Sequence, residues 1–449
     1  MNVVVLNGSP KGKYSITIQT MLYLQERYPQ HTYEVIDIGQ KIKKIEKQFE
    51  PVKQVLEKAE LIVFAYPVYT AMAPYQVHRF IELLKAHKVQ LRGKVATQIT
   101  TSKHFYDMTA HKYIEANCCD LEMAYVKGLS ADMEDLLSEK GRKEAETFWE
   151  YVLFCMAHKS YEPPTKRVAQ LKKVPYQACM ANVSKDSTKE VAIVTNCASN
   201  DVNLSNMIVD LQATLPYKTK IINLLDFPFS GGCLGCLSCT VEGKCIYKDG
   251  FENFLREDIQ TSDAIIYAFT IKDHYTEASF KCYDDRQFCN GHRAVTMGMP
   301  VGYLISGPYQ DEPNLQTIVE ARSEVGGNFL AYVATDEEDT SQAIKNLANR
   351  LSYAYEHKLS RPQSFYGVGG NKIFRDLIYL MRGMMKADHE FYKAHGLYDF
   401  PHNQRGKMLQ MCLIGKVLQI PSVKKKMKSQ MNQIIVEPYT KIISGIKYK

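Results

Sequence analysis

The sequence predicts an α/β protein: two doubly wound parallel-sheet domains in tandem, then a helical C-terminal extension. Three observations predict it. Apolar strand runs alternate with helical runs from residue 2 to about residue 155, the same order restarts near residue 190, and residues 361–449 fit neither repeat. The length of 449 residues suits two to four domains. A composition of 45% hydrophobic and 23% charged residues excludes disorder as the main state. No run of about 18 apolar residues occurs, which argues against a membrane-spanning helix. The opening MNVVVLNGSPKGK lacks a basic n-region and an h-region. It reads as a first strand, not a signal peptide, and a cytoplasmic location is expected.

In the first repeat, NVVVL (2–6) is a buried-strand run and residues 16–28 follow with helical spacing. YEVIDI (33–38) is a second strand, 47–59 an amphipathic helix, and LIVFAYPVY (61–69) a third strand running into a loop. Residues 76–85 are helical, KVATQITT (94–101) is a fourth strand, 110–117 a helix, LEMAYVKGL (121–129) strand-like, and 134–155 a long helix. The second repeat has strands at 190–200, 220–227, 264–271, 299–309 and 328–335, and a closing helix from about Asp339 to Tyr355. The expected organisation is therefore a first domain over 1–158, a Pro- and charge-rich linker over 159–188, a second domain over 189–358 and a basic extension over 359–449.

The net charge of +7 conceals an asymmetry. Residues 361–449 carry 16 Lys and Arg against 5 Asp and Glu, a net +11, so residues 1–360 carry −4. The run Lys424, Lys425, Lys426 and Lys428 follows the apolar segment Met411–Ile414. The favoured reading is a helical extension with solvated lysines; the alternative is contact with an anionic membrane surface or an acidic redox partner. No nucleic-acid partner is expected.

Three loops carry chemistry. Asn7-Gly8-Ser9-Pro10-Lys11-Gly12-Lys13-Tyr14-Ser15-Ile16-Thr17 follows the first strand and opens the first helix. Small and hydroxyl residues there let backbone N–H groups approach a phosphate. An ordinary strand–helix loop with a cap is the alternative. The third strand ends in Tyr66-Pro67-Val68-Tyr69-Thr70-Ala71-Met72-Ala73-Pro74, and the fourth in Thr100-Thr101-Ser102. Open parallel sheets bind ligands at these carboxyl ends. In the third loop, Cys233, Cys236, Cys239 and Cys245 are spaced C-x2-C-x2-C-x5-C among several glycines. That spacing suits a cuboidal [4Fe–4S] cluster; zinc and a metal-free loop remain open. Twelve cysteines without a secretory signal do not read as a disulfide scaffold. Asp284-Asp285-Arg286 reads as a helix surface with local pairing. No Ser/His/Asp constellation or H-E-x-x-H motif occurs, so no catalytic residue is assigned.

NGSPKGKYSIT followed by YPVYTAMAP resembles the flavodoxin-like NAD(P)H-dependent FMN reductases over residues 1–155. The resemblance implies FMN as cofactor and NAD(P)H as donor. Its phosphate would lie on Ser9, Lys11, Ser15, Ile16 and Thr17, and its ring against Pro67, Val68, Tyr69 and Thr70, with Thr100, Thr101 and Ser102 converging. The cysteine loop resembles that of the iron–sulfur flavoproteins over residues 190–358, which implies a [4Fe–4S] cluster. Thr195–Asn206, the corresponding first loop of the second domain, lacks the GSP signature and carries Asp201, which would repel a phosphate, while Asn203, Ser205 and Asn206 remain as donors, so a second FMN there stays open. The expected function is an FMN-dependent oxidoreductase passing electrons between NAD(P)H or ferredoxin and an acceptor, either a redox partner protein or a small molecule. The alternatives are a non-enzymatic electron carrier and a flavin-free scaffold. Specialised halves are expected to face each other as an internal pseudo-dimer, with the cysteine loop near Tyr66–Ala73.

Overall fold

The runs of Val, Ile and Leu that read as strands form two parallel sheets in the computed structural model. It describes residues 1–164, 175–179, 183–239, 243–398, 405–417 and 420–423. The first sheet contains β1 (Asn2–Asn7), β2 (Thr32–Ile36), β3 (Leu61–Pro67), β4 (Val95–Ser102), β5 (Ala124–Tyr125) and β6 (Leu129–Asp132). Its order is β2-β1-β3-β4-β5, with β6 also paired to β4 and every pairing parallel. The second sheet contains β7 (Asp186–Thr195), β8 (Tyr217–Asn223), β9 (Ala264–Thr270), β10 (Pro300–Ser306) and β11 (Phe329–Thr335), in the order β11-β10-β9-β7-β8. Both sheets thus have the doubly wound order 2-1-3-4-5, with its switch point between their first and third strands.

Alternation along the strands assigns their faces. On β1, Val3 and Val5 pack with α1 (Ile16–Arg27) and α6 (Glu139–His158), where Trp149 is fully buried. Val4 and Leu6 face the other way, toward α2 (Ile38–Lys47), α3 (Glu50–Lys58), α4 (Tyr75–Ala86) and α5 (Asp107–Asp120). Coverage on both faces explains why these strands are apolar throughout. The outer face of the second sheet packs on α7 (Val202–Thr214) and, past α8 (Ala278–Arg286) and α9 (Pro313–Val325), on α10 (Thr340–Glu356). The inner faces of both sheets share one apolar cluster that runs through Phe80 of α4 and Phe280 of α8.

The two halves also exchange backbone caps. Tyr75 N–H, opening α4, donates to Asp285 at 2.7 Å, and Ala278 N–H, opening α8, donates to Glu82 at 2.7 Å. Beyond the second sheet come α11 (Phe365–Leu380), α12 (Lys386–Ala394) and α13 (Arg405–Val417). Met1–His389 forms one unit and Glu390–Lys449 another. In the second unit α13 is exposed along its whole length. The lysine run 424–428 lies outside the described residues. No helix among those described is long and apolar enough to cross a membrane.

Several boundaries differ from the sequence reading. The helix expected at 47–59 is α3, which begins at Glu50 with Pro51 in its first turn, and a further helix precedes it, α2, whose Ile38, Ile42 and Ile45 form a buried helical stripe. The strand-like 121–129 divides into β5 and β6, and β7 begins at Asp186, inside the expected linker. Asp284-Asp285-Arg286 is not a helix surface: all three are buried at the junction of the two sheets' inner layers.

Candidate functional site

The carboxyl ends of β1, β3 and β4 converge in the first half. Gly8 lets the first loop pass under α4, since a Cβ there would lie 2.4 Å from Val77 Cγ2. Gly39 of α2 is as close from the other side, where a Cβ would meet the Ser9 carbonyl oxygen at 2.2 Å. Ser9, Ser15 and Thr17 are buried in this loop. Ser9 Oγ accepts from Lys11 N–H, and Thr17 and Thr101 share a hydroxyl hydrogen bond of 2.6 Å. Ser15 begins α1 without a side-chain cap, so the helix keeps its partial positive end open beside Ile16 and Thr17. The loop therefore retains what a phosphate requires: a close backbone approach, an uncapped helix start and buried hydroxyls. Thr100 is turned away, its hydroxyl bonded to His111 Nε2 at 2.8 Å, and Ser102 Oγ accepts from His104 N–H at 2.9 Å. Of the three β4 residues, Thr101 is the one bonded to the first loop.

After β3 the chain passes Pro67 and Val68 into a tight turn. Tyr69 and Met72 exchange backbone hydrogen bonds of 2.8 and 3.0 Å, and the central residues, Thr70 and Ala71, have φ of 51° and 64°. Two successive left-handed non-glycine residues are costly and persist only where neighbours over-determine them. Those neighbours come from the second half. Lys281 Nζ donates to the Tyr69 carbonyl at 3.0 Å, and Thr70 Oγ1 donates to Asp285 Oδ1 at 3.5 Å. The second half repeats the turn at Lys272–Tyr275, with Asp273 and His274 at φ of 52° and 68°. The first half holds it in return: Lys85 Nζ donates to Asp273 at 2.8 Å, and Asp120 pairs with His274 at 3.2 Å.

The cysteine loop reaches the same place. Gly235 lies against Tyr69, whose hydroxyl oxygen would be 2.0 Å from a Cβ at that position, and Lys11 Cε would be 3.4 Å from it. Its φ of +60° adds a second reason for glycine. Gly232 makes a similar approach to Tyr75. Burial, then the nearby Cys233 thiol and Asp285 carboxyl, push the Tyr69 phenol well above its ordinary range, so it stays neutral.

Electrostatics converge on α8. Lys281 and Asp285 pair with no exposure on either side chain. Burial pushes the Asp285 carboxyl up to about 6 against the pull of Lys281. Arg286 holds Asp249 through two 2.8 Å bonds, reaches Cys245 Sγ at 3.9 Å and lies over the Tyr247 ring. Burial opposes the Asp249 charge, but the Arg286 bonds hold that carboxyl well below its usual range. None of these partners was legible as functional, although the i, i+4 pair Lys281/Asp285 was a local signal.

The donors of the cysteine loop fit a cluster in kind: four thiols, with Gly235 N–H donating to Cys233 Sγ at 3.4 Å and the Arg286 guanidinium at Cys245. Burial pushes the Cys233 thiol up to about 12. Among the described residues, no three His, Cys, Asp or Glu side chains are gathered closely enough to hold a metal ion.

The corresponding first loop of the second half does not fit a phosphate. Asp201 caps α7 through Leu204 N–H and accepts from Thr270 Oγ1. Asn203 and Asn206 are engaged by the backbone of Tyr176, and Asn203 also donates to Asp336. Two carboxylates and the backbone of Tyr176 thus engage the side chains that a phosphate would need in this loop.

Residues 1–131 match the family model described as NADPH-dependent FMN reductase, so the resemblance read from the first two loops holds over that stretch. An iron–sulfur flavoprotein from Archaeoglobus fulgidus is 25% identical over 174 residues, covering 36% of this chain and 78% of its own. Two solved structures are similar to one portion of the chain. An FMN-dependent NADH-azoreductase from Bacillus anthracis, in complex with FMN, is 15% identical, covers 34% of this chain and 98% of its own, and has a TM-score of 0.29. An NAD(P)H:quinone oxidoreductase from Methanothermobacter marburgensis is 11% identical, covers 37% and 99%, and has a TM-score of 0.27.

Proposed function

We propose that the chain is an FMN-dependent oxidoreductase that takes reducing equivalents from NAD(P)H. One FMN per chain is held by the first half, and the cysteine loop of the second half holds a [4Fe–4S] cluster beside it. The observation that carries this reading is the contact between Tyr69, in the turn assigned to the flavin ring, and Gly235, between Cys233 and Cys236. FMN supplies hydride acceptance from a nicotinamide, and a cluster supplies single-electron exchange with a partner.

The chain's own residues do the remaining work. Ser9, Ser15, Thr17 and the open start of α1 bind the phosphate, and Thr101 fixes Thr17 from β4. Pro67 and Val68 set the wall, and Tyr69 and Thr70 are held in position by Lys281 and Asp285. Arg286 fixes the cysteine loop through Asp249 and the Gly231 carbonyl. The two halves act as an internal pseudo-dimer in which neither half is a complete site. The final acceptor is a small molecule or a ferredoxin-like protein, and the site of action is the cytoplasm.

A second reading is a reductase whose cysteine loop carries no metal. It is favoured by the absence of a gathered ligand trio among the described residues. Anaerobic purification with iron and sulfide analysis separates the two. The first reading expects one flavin with about four iron and four sulfide per chain. One flavin without sulfide leaves the simple reductase, and a colourless protein rejects both.

A further inference from the structure

A cavity of about 180 Å³ opens at the amino edge of the second sheet. Its floor is built by β9 and β10, where Ile265 and Tyr267 pair with Val301 and Tyr303 and present the same face. Tyr283 of α8 and Arg322 of α9 line it, with Arg293, and its rim includes the exposed Val295. A cavity of about 150 Å³ is enough for one benzene-sized ring.

The lining has a definite chemical sign. Two arginines contribute to it and no Asp or Glu does. Arg322 is already neutralised from behind by Asp284 at 2.7 Å. Arg293 spends its Nε on the Asn290 carbonyl at 2.6 Å and on Asp388 at 3.5 Å. Its Nη2 is buried without a hydrogen-bond partner among the described residues, whereas the Tyr283 hydroxyl is bonded to Tyr267. A buried donor left unspent costs stability unless something accepts from it. The Tyr267 and Tyr303 rings, with centroids 5.4 Å apart, form an aromatic wall beside it.

We propose that this cavity is a binding site for a small aromatic monocarboxylate, with its ring against Tyr267 and Tyr303 and its carboxylate on Arg293. Charge-assisted bonds to an arginine supply orientation, and the tyrosine wall supplies area. The site is separate from the flavin loops and does not depend on the redox reading.

Titration calorimetry of the full chain, with its flavin, tests it using sodium benzoate and the neutral isostere benzamide. Benzoate is expected to bind saturably, with benzamide at least about tenfold weaker. Arg293→Met should weaken benzoate at least about tenfold, with flavin content unchanged. Arg293→Met also loses the Asn290 anchor, so the comparison of benzoate with benzamide on the wild-type chain decides if the variant does not fold. Absence of benzoate binding at about 10 mM, equal binding of benzamide, or unchanged binding in a folded Arg293→Met would overturn the proposal.

Discussion

The backbone N–H of Tyr75 donates to the Asp285 carboxylate at 2.7 Å across the junction of the two halves. Its counterpart runs the other way, from Ala278 N–H to Glu82, also at 2.7 Å. Each helix start is capped by a carboxylate from the facing helix, the reciprocity of a two-fold interface realised within one chain. Asp285 also pairs with Lys281, which holds the Tyr69 carbonyl, so the cap and the flavin turn share one buried network.

Asp285→Ala should therefore destabilise the protein by about 3–5 kcal/mol, because it strands a buried ammonium and uncaps α4 together. Asp285→Asn keeps an acceptor for Tyr75 N–H and should cost less. Urea unfolding of the two variants beside the wild type checks the order; equal losses would separate the cap from the ion pair.

The junction should also respond to pH through His274. Burial lowers its pKa, but bonds to Asp120 and Glu312 outweigh this and raise it to about 9. The raised value means that the imidazolium stabilises the fold fully below about pH 6.5, and that this contribution is lost as pH rises from 6.5 to about 9. Asp120 is opposed by burial yet held at about 2, so its contribution is present above its ordinary range and lost only as pH falls toward 2. His274→Gln should cost about 3 kcal/mol at pH 6 and little above pH 9. Stability curves that stay parallel across that window would reject the assignment.

The sequence made the strands and the first loop legible, and the reasons are local. Val3–Leu6 and Leu61–Tyr66 are apolar because both of their faces are covered, and Asn7–Thr17 carries its own small and hydroxyl residues. Helix α2 was missed although Ile38, Ile42 and Ile45 keep helical spacing, because YEVIDI was extended as a strand into Ile38. The buried row Lys281, Asp284, Asp285 and Arg286 was not legible. Charged residues on one helix read as a solvated face unless the opposing helix is known, and here that helix lies about 200 residues earlier. The close approach of Gly235 to Tyr69 has the same non-local origin.

That approach gives a third prediction. Gly235→Ala places a methyl on the Tyr69 hydroxyl and strains a residue at φ +60°, which should cost about 1–2 kcal/mol from the backbone alone, plus the clash. Tyr69→Phe removes the colliding oxygen and should recover the clash but not the strain. Unfolding free energies of the two single variants and the double variant measure the coupling. Strict additivity would mean that the two loops do not touch.

The most direct test of the central claim, one flavin per chain seated on the first loop, is the FMN content of the purified chain with and without Ser9→Asp. A carboxylate at buried Ser9 faces the open start of α1, where it replaces a hydroxyl donor and repels a phosphate. One FMN per chain is expected in the wild type and almost none in the variant. Two FMN per chain in the wild type, or a full complement retained in Ser9→Asp, would contradict that claim.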